Sequence, residues 1–286
     1  MTDLLTLRDI GGDGVAEILA FAERSDLSSP LAGQGVALIF EKPSSRTRNS
    51  MEMAVVQLGG HPVYIQRDEV GIGARESSED VARTLACYHR VIAARVSRHE
   101  HLEQMAAAVD TPVLNMLSDS DHPLQGLADL LTIKQLVGRL EGVRIAYVGD
   151  GNNNVAKSLA EGCALTGAEL VIASPEEFQL AAPPKGVRQV VNPAEAVAGA
   201  QIIYTDVWVS MGQSEDTARR NAALAPYQVD GALMALSDNA WFLHCLPARR
   251  GEEVEAAVID GPRSGIWRQA ENRMHTARGA LAWMMR

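Results

Sequence analysis

Residues 35–58, GVALIFEKPSSRTRNSMEMAVVQL, change character twice. Gly35–Phe40 is an unbroken apolar run, short and rich in the side chains that favour strands. Met51, Ala54, Val55 and Leu58 then recur at helical spacing until Gly59-Gly60 stops the pattern. A strand without polar alternation is buried on both faces, as in a parallel sheet covered by helices. Between strand and helix, the loop Glu41-Lys42-Pro43-Ser44-Ser45-Arg46-Thr47-Arg48 puts hydroxyls and a guanidinium at a helix N-terminus. Backbone N–H groups, the positive dipole end, hydroxyl donors and the guanidinium fork all favour a phosphate there. The plainer alternative is a Ser/Thr helix cap beside solvated arginines.

The same alternation recurs along the chain. Val91–Val96, Val113–Leu117, Arg144–Val148, Leu170–Ala173, Gln201–Tyr204 and Trp241–His244 read as strands, with amphipathic segments between them. This predicts an α/β protein of two domains, each a parallel sheet flanked by helices. The first half closes on a long helical pattern, from about His122 to Val137, that stops at Gly138 before a fresh strand begins near Arg144. Ala270–Met285 has helical spacing and is expected to pack back on the first domain, and residues 181–186 read as a surface turn.

Composition narrows the function classes. With 26 Lys+Arg against 36 Asp+Glu the formal net charge is −10, against a general binder of nucleic acid or anionic membrane. A chain 47% hydrophobic and 22% charged is neither disordered, collagen-like nor a coiled coil. Cys87, Cys163 and Cys245 are too scattered for a disulfide framework, and no Cys-x-x-Cys pair suggests structural zinc. A start without a basic region and apolar run, and no apolar stretch of about 18 residues, lead to the expectation of a soluble cytoplasmic protein.

In parallel sheets ligands bind beyond the carboxyl ends of strands, so the residues following each run carry the chemistry. Arg95 ends an apolar strand, where a guanidinium needs an anionic partner. His122-Pro123-Leu124-Gln125 brings an imidazole and a carboxamide to a helix start, as ligand groups or as a cap. Gly149-Asp150-Gly151-Asn152-Asn153-Asn154 looks superficially like a dinucleotide turn but has Asn154 where the third glycine belongs, and no acidic residue closes the next strand. Its asparagines either bind a small zwitterion or cap the following helix. Thr205 through Gly212 supplies Asp206, suited to an ammonium group, and puts Trp208 and Met211 in a loop expected to be exposed, as in a lid. Cys245 follows His244 on a strand, where neighbours point to opposite faces, so His244 is a poor base for it and a Cys/His hydrolase is rejected. Arg273 begins the terminal helix, facing the crevice or solvent, and Arg219 and Arg220 fall in a polar helical stretch and read as solvated.

Taken in order, residues 40–48, His122-Pro123-Leu124-Gln125, Asp206–Gly212, His244-Cys245-Leu246-Pro247 and Glu271-Asn272-Arg273 resemble the motifs of the aspartate/ornithine carbamoyltransferase family, the last three pointing to its ornithine branch. The resemblance implies a carbamoyl-phosphate-binding domain over 1–131, an ornithine-binding domain over 132–268 and a C-terminal helix over 269–286 returning to the first domain. It implies transfer of the carbamoyl group of carbamoyl phosphate to the δ-amine of L-ornithine, with no cofactor or metal, in a homotrimer or a multiple of trimers. By the same resemblance Ser44, Ser45, Arg46 and Thr47 hold the phosphate, while Arg95, His122 and Arg273 surround the carbonyl oxygen. Gln125 and the Leu246 backbone orient the carbamoyl NH₂; Asn153, Asp206, Ser210 and Met211 bind ornithine; Cys245 sits beside the reacting amine. Asp206 suits an amine-rich acceptor better than the dicarboxylate aspartate. The departure is at Gly71, where the family carries a Gln or His reaching the neighbouring subunit's phosphate site. The open rivals are a putrescine or N-acylornithine acceptor, a nicotinamide dehydrogenase on the Gly149 turn, and a binding-only relative.

Overall fold

A computed structural model of the chain describes residues 2–209 and 216–286, which divide into two units. The first comprises the chain up to Ala128 together with Asn272–Arg286; the second is Asp129–Glu271.

The first unit runs α1 (Leu7–Glu23), β1 (Gly35–Phe40), α2 (Ser45–Gln57), β2 (His61–Gln66), α3 (Arg67–Val70), α4 (Ser78–Ala86), β3 (His89–Arg95), α5 (His99–Ala108), β4 (Val113–Leu117) and the start of α6 (Pro123–Val137). Its strands form a parallel sheet in the order β2-β1-β3-β4. The apolar run that decides the fold is therefore central: β1 is buried along Val36–Phe40, with Ala37 and Ile39 packing into a core that includes Ile92, Leu102 and Met105. Pairing of Phe40 with both Gln66 and Arg95 brings the carboxyl ends of β1, β2 and β3 to one level. The C-terminal stretch joins this unit as expected. At Gly279 an added Cβ would lie 2.6 Å from the Ile18 carbonyl oxygen of α1, so that glycine permits the helices' close approach, and Trp283 Nε1 donates to Glu17 Oε2 at 2.9 Å.

The second unit contains β5 (Arg144–Val148), α7 (Asn154–Thr166), β6 (Glu169–Ala173), β7 (Val187–Val190), α8 (Pro193–Val197), β8 (Ile202–Thr205), α9 (Thr217–Leu224), α10 (Gly231–Met234), β9 (Trp241–His244), α11 (Ala256–Ile259) and the start of α12 (Ile266–Met284). Its parallel sheet has the order β7-β6-β5-β8-β9. Period-2 alternation splits its strands between two cores: Ile145, Tyr147, Ile202 and Tyr204 pack on one face, Ala146, Val148, Ile203 and Phe242 on the other.

Two strands were absent from the sequence reading, β2 and β7, and both lie at a sheet edge. Half-exposed edge strands lose the continuous apolar run that marks a buried one, and β2 carries Pro62, which a central strand would not tolerate. The terminal helix begins at Ile266, earlier than the expected Ala270. No helix among the described residues is long and apolar enough to cross a membrane.

Candidate active site

In the first unit the loop after β1 leads into α2 with Ser44 as N-cap: its Oγ accepts from Thr47 N–H and lies 3.2 Å from Thr47 Oγ1. The cap reading is borne out, and the same turn presents Ser45 and Arg46, both exposed, at the positive end of the helix. Arg95, 6% exposed at the end of β3, donates from Nη1 to Thr47 Oγ1 at 3.3 Å, while its Nε has no hydrogen-bond partner among the described residues. Burial, and then the neighbouring charge of Arg46, pull the Arg95 guanidinium down to about 10. A buried guanidinium beside a second cation is an arrangement that an anion would relieve.

His122 and Gln125 are buried at the start of α6, and Arg273 is buried on α12 rather than solvated. Burial, with the charges of Arg273 and Arg95, holds the His122 imidazole well below its usual range, so it is neutral at physiological pH. The loop before it is shaped by Ser118, whose Oγ accepts from Asp121 N–H at 3.0 Å and contacts His99 Nδ1 at 2.8 Å. Gly71 has φ +58, and a Cβ there would lie 2.7 Å from Arg75 Cβ; the local turn itself demands glycine.

In the second unit Asp206 follows β8 and is 6% exposed. The Cys245 thiol donates to its Oδ1 at 3.1 Å and Val207 N–H donates to the same oxygen at 2.8 Å. Burial raises the Asp206 carboxyl above the ordinary range, against the opposing pull of His244 and those two hydrogen bonds. Burial and the Asp206 carboxylate push the Cys245 thiol well up, making it a protonated donor and not a nucleophile. His244 is fully engaged elsewhere: Nδ1 accepts from Leu246 N–H at 2.9 Å, so Nε2 carries the hydrogen and donates to Glu253 Oε1 at 3.1 Å. This agrees with the rejection of a Cys/His pair, and it holds Leu246 in its left-handed conformation, φ +62. Donor atoms of Asp206, His244 and Cys245 lie within 4.8 Å of one another, but a metal there would have to displace these hydrogen bonds.

Asn153 is the N-cap of α7: Oδ1 accepts from Val155 and Ala156 N–H, each at 2.9 Å, and Nδ2 donates to Tyr147 Oη at 3.0 Å and Asp150 O at 2.9 Å. Its amide is committed to shaping the turn, and must give up one of these bonds to meet a ligand. Ser210 and Met211 lie outside the described residues.

Two expectations are corrected. Arg220 is not solvated: it is buried, pairs with Asp150 through Nη2, donates from Nε to Trp208 O at 2.9 Å and lies over the Phe178 ring. Arg219 is exposed and paired with Asp216 and Glu177. Trp208 is not in an exposed lid either; at 4% exposure it packs with Phe178, Val209 and Leu224. Supporting residues that sequence reasoning passed over are Asp129 and Gln269, where Gln269 Nε2 donates to Asp129 Oδ1 at 2.7 Å and Gln269 Oε1 accepts from His244 N–H, and Glu253. Glu253 stands in the charged run 249–253, which reads as surface; only its spacing from His244 across a turn could have hinted at pairing.

One parallel-sheet unit thus carries clustered arginines near a helix N-terminus, and the other a buried carboxylate–thiol pair at a strand end. The carbamoyl-P binding domain of the aspartate/ornithine carbamoyltransferases matches residues 2–135, and the Asp/Orn binding domain of the same family matches residues 141–284. The chain belongs to the aspartate/ornithine carbamoyltransferase family. Its relatives narrow the branch: it is 47% identical to the ornithine carbamoyltransferase of Hyperthermus butylicus over 99% of this chain and 97% of that one, and 44% identical to that of Thermus thermophilus over the same shares. Among solved structures, the ornithine carbamoyltransferase of Pyrococcus furiosus superposes with a TM-score of 0.93 at 39% identity, covering 98% of this chain and 96% of the other. That of Thermus thermophilus superposes with a TM-score of 0.90 at 42% identity, covering 99% of each.

Proposed function

We propose that the chain transfers the carbamoyl group of carbamoyl phosphate to the δ-amine of L-ornithine, giving L-citrulline and phosphate. The observation that carries the choice of acceptor is the Cys245–Asp206 pair: a buried carboxylate held by a thiol suits an ammonium group, and a second carboxylate on the acceptor would be repelled there.

Residues 1–131, with Arg273 of the C-terminal helix, supply the donor side. Ser44, Ser45, Arg46 and Thr47 hold the phosphate, and Arg95, His122 and Arg273 surround the carbonyl oxygen. Residues 132–268 supply the acceptor side through Asn153, Asp206, Ser210 and Met211, with Cys245 beside the reacting amine; Gln125 and the Leu246 backbone orient the carbamoyl NH₂. The ornithine ammonium gives up one proton to solvent to become a nucleophilic amine, and its nitrogen attacks the carbonyl carbon. As the tetrahedral centre collapses the C–O bond to phosphate breaks, and the second proton on nitrogen passes to the departing phosphate. Arginines aimed at the phosphate and carbonyl oxygens stabilise the charge that grows on both. A neutral His122 supports the oxygen through a hydrogen bond without adding a further cation beside Arg95 and Arg273. Kinship supports assembly as a homotrimer or a multiple of trimers, and the sparse cysteines support a cytoplasmic setting.

Steady-state product formation with carbamoyl phosphate and, separately, ornithine, N-acetylornithine, putrescine and aspartate tests the reading. Turnover confined to ornithine is the expected result; turnover with another acceptor keeps the donor side and overturns the role given to Asp206.

A further inference from the structure

We infer that Glu41 is a positioning residue for the donor phosphate, its carboxylate taking the place of a strand carbonyl and fixing Arg95 against the first turn of α2. The inference rests on the donor site proposed for residues 44–47.

β1 and β3 pair in parallel up to Phe40 and Arg95. One residue further, Glu41 N–H donates to Arg95 O at 2.9 Å and continues the ladder. In a parallel ladder the following bond runs from the neighbouring strand's N–H to the carbonyl of this same residue. Here the N–H in that position, Ser97, donates instead to the side-chain Oε2 of Glu41, at 2.5 Å. The substitution has a consequence for the main chain. Relieved of the ladder at its carbonyl, it leaves the sheet through Pro43 and reaches Ser44, the N-cap of α2, while the end of β3 stays pinned by the side chain. Arg95 is bracketed by the two bonds, its own carbonyl held by Glu41 N–H and the N–H two residues on held by the Glu41 carboxylate. Its guanidinium then reaches Thr47 Oγ1 at 3.3 Å, on the helix into which Glu41 leads.

The carboxylate is itself held in place. Its side chain is 8% exposed, and His101 Nδ1, on α5, lies 3.6 Å from Oε1. A negative charge in the loop that receives an anion opposes binding, so its presence needs a compensating role. The bond from Ser97 N–H supplies one, and that role requires an acceptor of the right reach and not a charge.

The test compares Glu41→Gln, Glu41→Asp and Glu41→Ala in the full chain, measuring the Kd of inorganic phosphate by titration calorimetry, KM for carbamoyl phosphate, KM for ornithine, and Tm. Glutamine keeps an acceptor oxygen at the same reach, and is expected within about threefold of wild type for phosphate. Aspartate keeps the charge but falls short, and with alanine is expected to weaken phosphate about tenfold, the loss of one hydrogen bond of about 1.4 kcal/mol. KM for ornithine is expected to change less than about twofold, as one short hydrogen bond in the other substrate's domain is all that is lost. Should alanine fail to fold, the glutamine–aspartate contrast carries the test. Aspartate binding phosphate as well as wild type, or glutamine binding it as poorly as aspartate, overturns the inference. A wild-type chain with no affinity for phosphate overturns the donor-site reading beneath it, which is a different result.

Discussion

Replacing Arg220 by methionine asks whether one buried guanidinium ties the turn after β5 to the loop after β8. Arg220 pairs with Asp150, which is 1% exposed, donates to Trp208 O at 2.9 Å, and lies 4.7 Å from the Phe178 ring centroid. Methionine fills most of the space of the arginine stem and keeps contact with Phe178. Two losses remain: a buried carboxylate without its cation, and a carbonyl without its donor. Removing one partner of a buried pair costs about 3–5 kcal/mol, and since both losses come from one group they are not counted twice. Burial already raises the Asp150 carboxyl, with Arg220 the largest influence opposing it, so the variant raises it further. A group whose folded pKa lies above its unfolded one binds more protons when folded between those two values. Stability of the variant therefore rises relative to wild type as pH falls through that window, and the penalty shrinks. Urea unfolding at about pH 7.5 and about pH 5 reads the difference directly, and the double variant Asp150→Asn/Arg220→Met, with no buried charge, recovers much of the loss at the higher pH. A cost below about 0.5 kcal/mol at both pH values, as for an ordinary surface substitution, would refute the reasoning and restore the solvated reading of Arg220.

Arg46→Ala is expected to lower kcat/KM by about 3 kcal/mol or more through loss of transition-state charge stabilisation, and wild-type turnover would sink its assigned role. Asp206→Asn should raise KM for ornithine at least about tenfold while leaving calorimetric phosphate binding unchanged, because only the ammonium partner is lost; equal weakening of both contradicts the division of labour. His122 is held neutral in the fold but titrates near its ordinary value of about 6.5 when unfolded, so below that pH the unfolded chain binds the extra proton and stability falls by up to about 1.4 kcal/mol per pH unit. His122→Gln removes that acid limb, and superimposable stability curves for the two proteins would count against a buried neutral imidazole. Gly71→Gln places a side chain at φ +58 against Arg75 and should cost roughly 1–2 kcal/mol without improving KM for carbamoyl phosphate, whereas a lower KM would show that the glycine is a lost contact and not a backbone requirement.

What was legible in the chain follows from where each feature's energy comes from. The strands β1, β4, β5 and β9 are buried along almost their whole length, so each is written as a local apolar run, and their bounds agree with the structure, although β4 and β9 lie at a sheet edge. The edge strands β2 and β7 are partly exposed and owe their structure to a neighbour's ladder, a non-local cause that leaves no such run. The same distinction separates the site residues. Arg95 ends β3, Asp206 and Cys245 follow β8 and β9, and Ser44 and Thr47 stand where β1 leads into α2, so the parallel sheet makes their position legible in the sequence. Arg220, Asp129, Gln269 and Glu253 act through partners 70, 140, 140 and 9 residues away, respectively; the first was read as solvated and the others were passed over, because pairing is invisible in one dimension. Asn153 shows the converse: a polar turn residue that reads as a ligand has its hydrogen-bonding capacity used by α7 and Tyr147. A carboxylate such as Asp206 needs both kinds of residue, since a local motif brings it to the strand end while distant partners decide its charge. Burial raises its carboxyl and the Cys245 and Val207 hydrogen bonds oppose the rise, so the charge on which the proposed ammonium role depends is set by a balance that those bonds help to control.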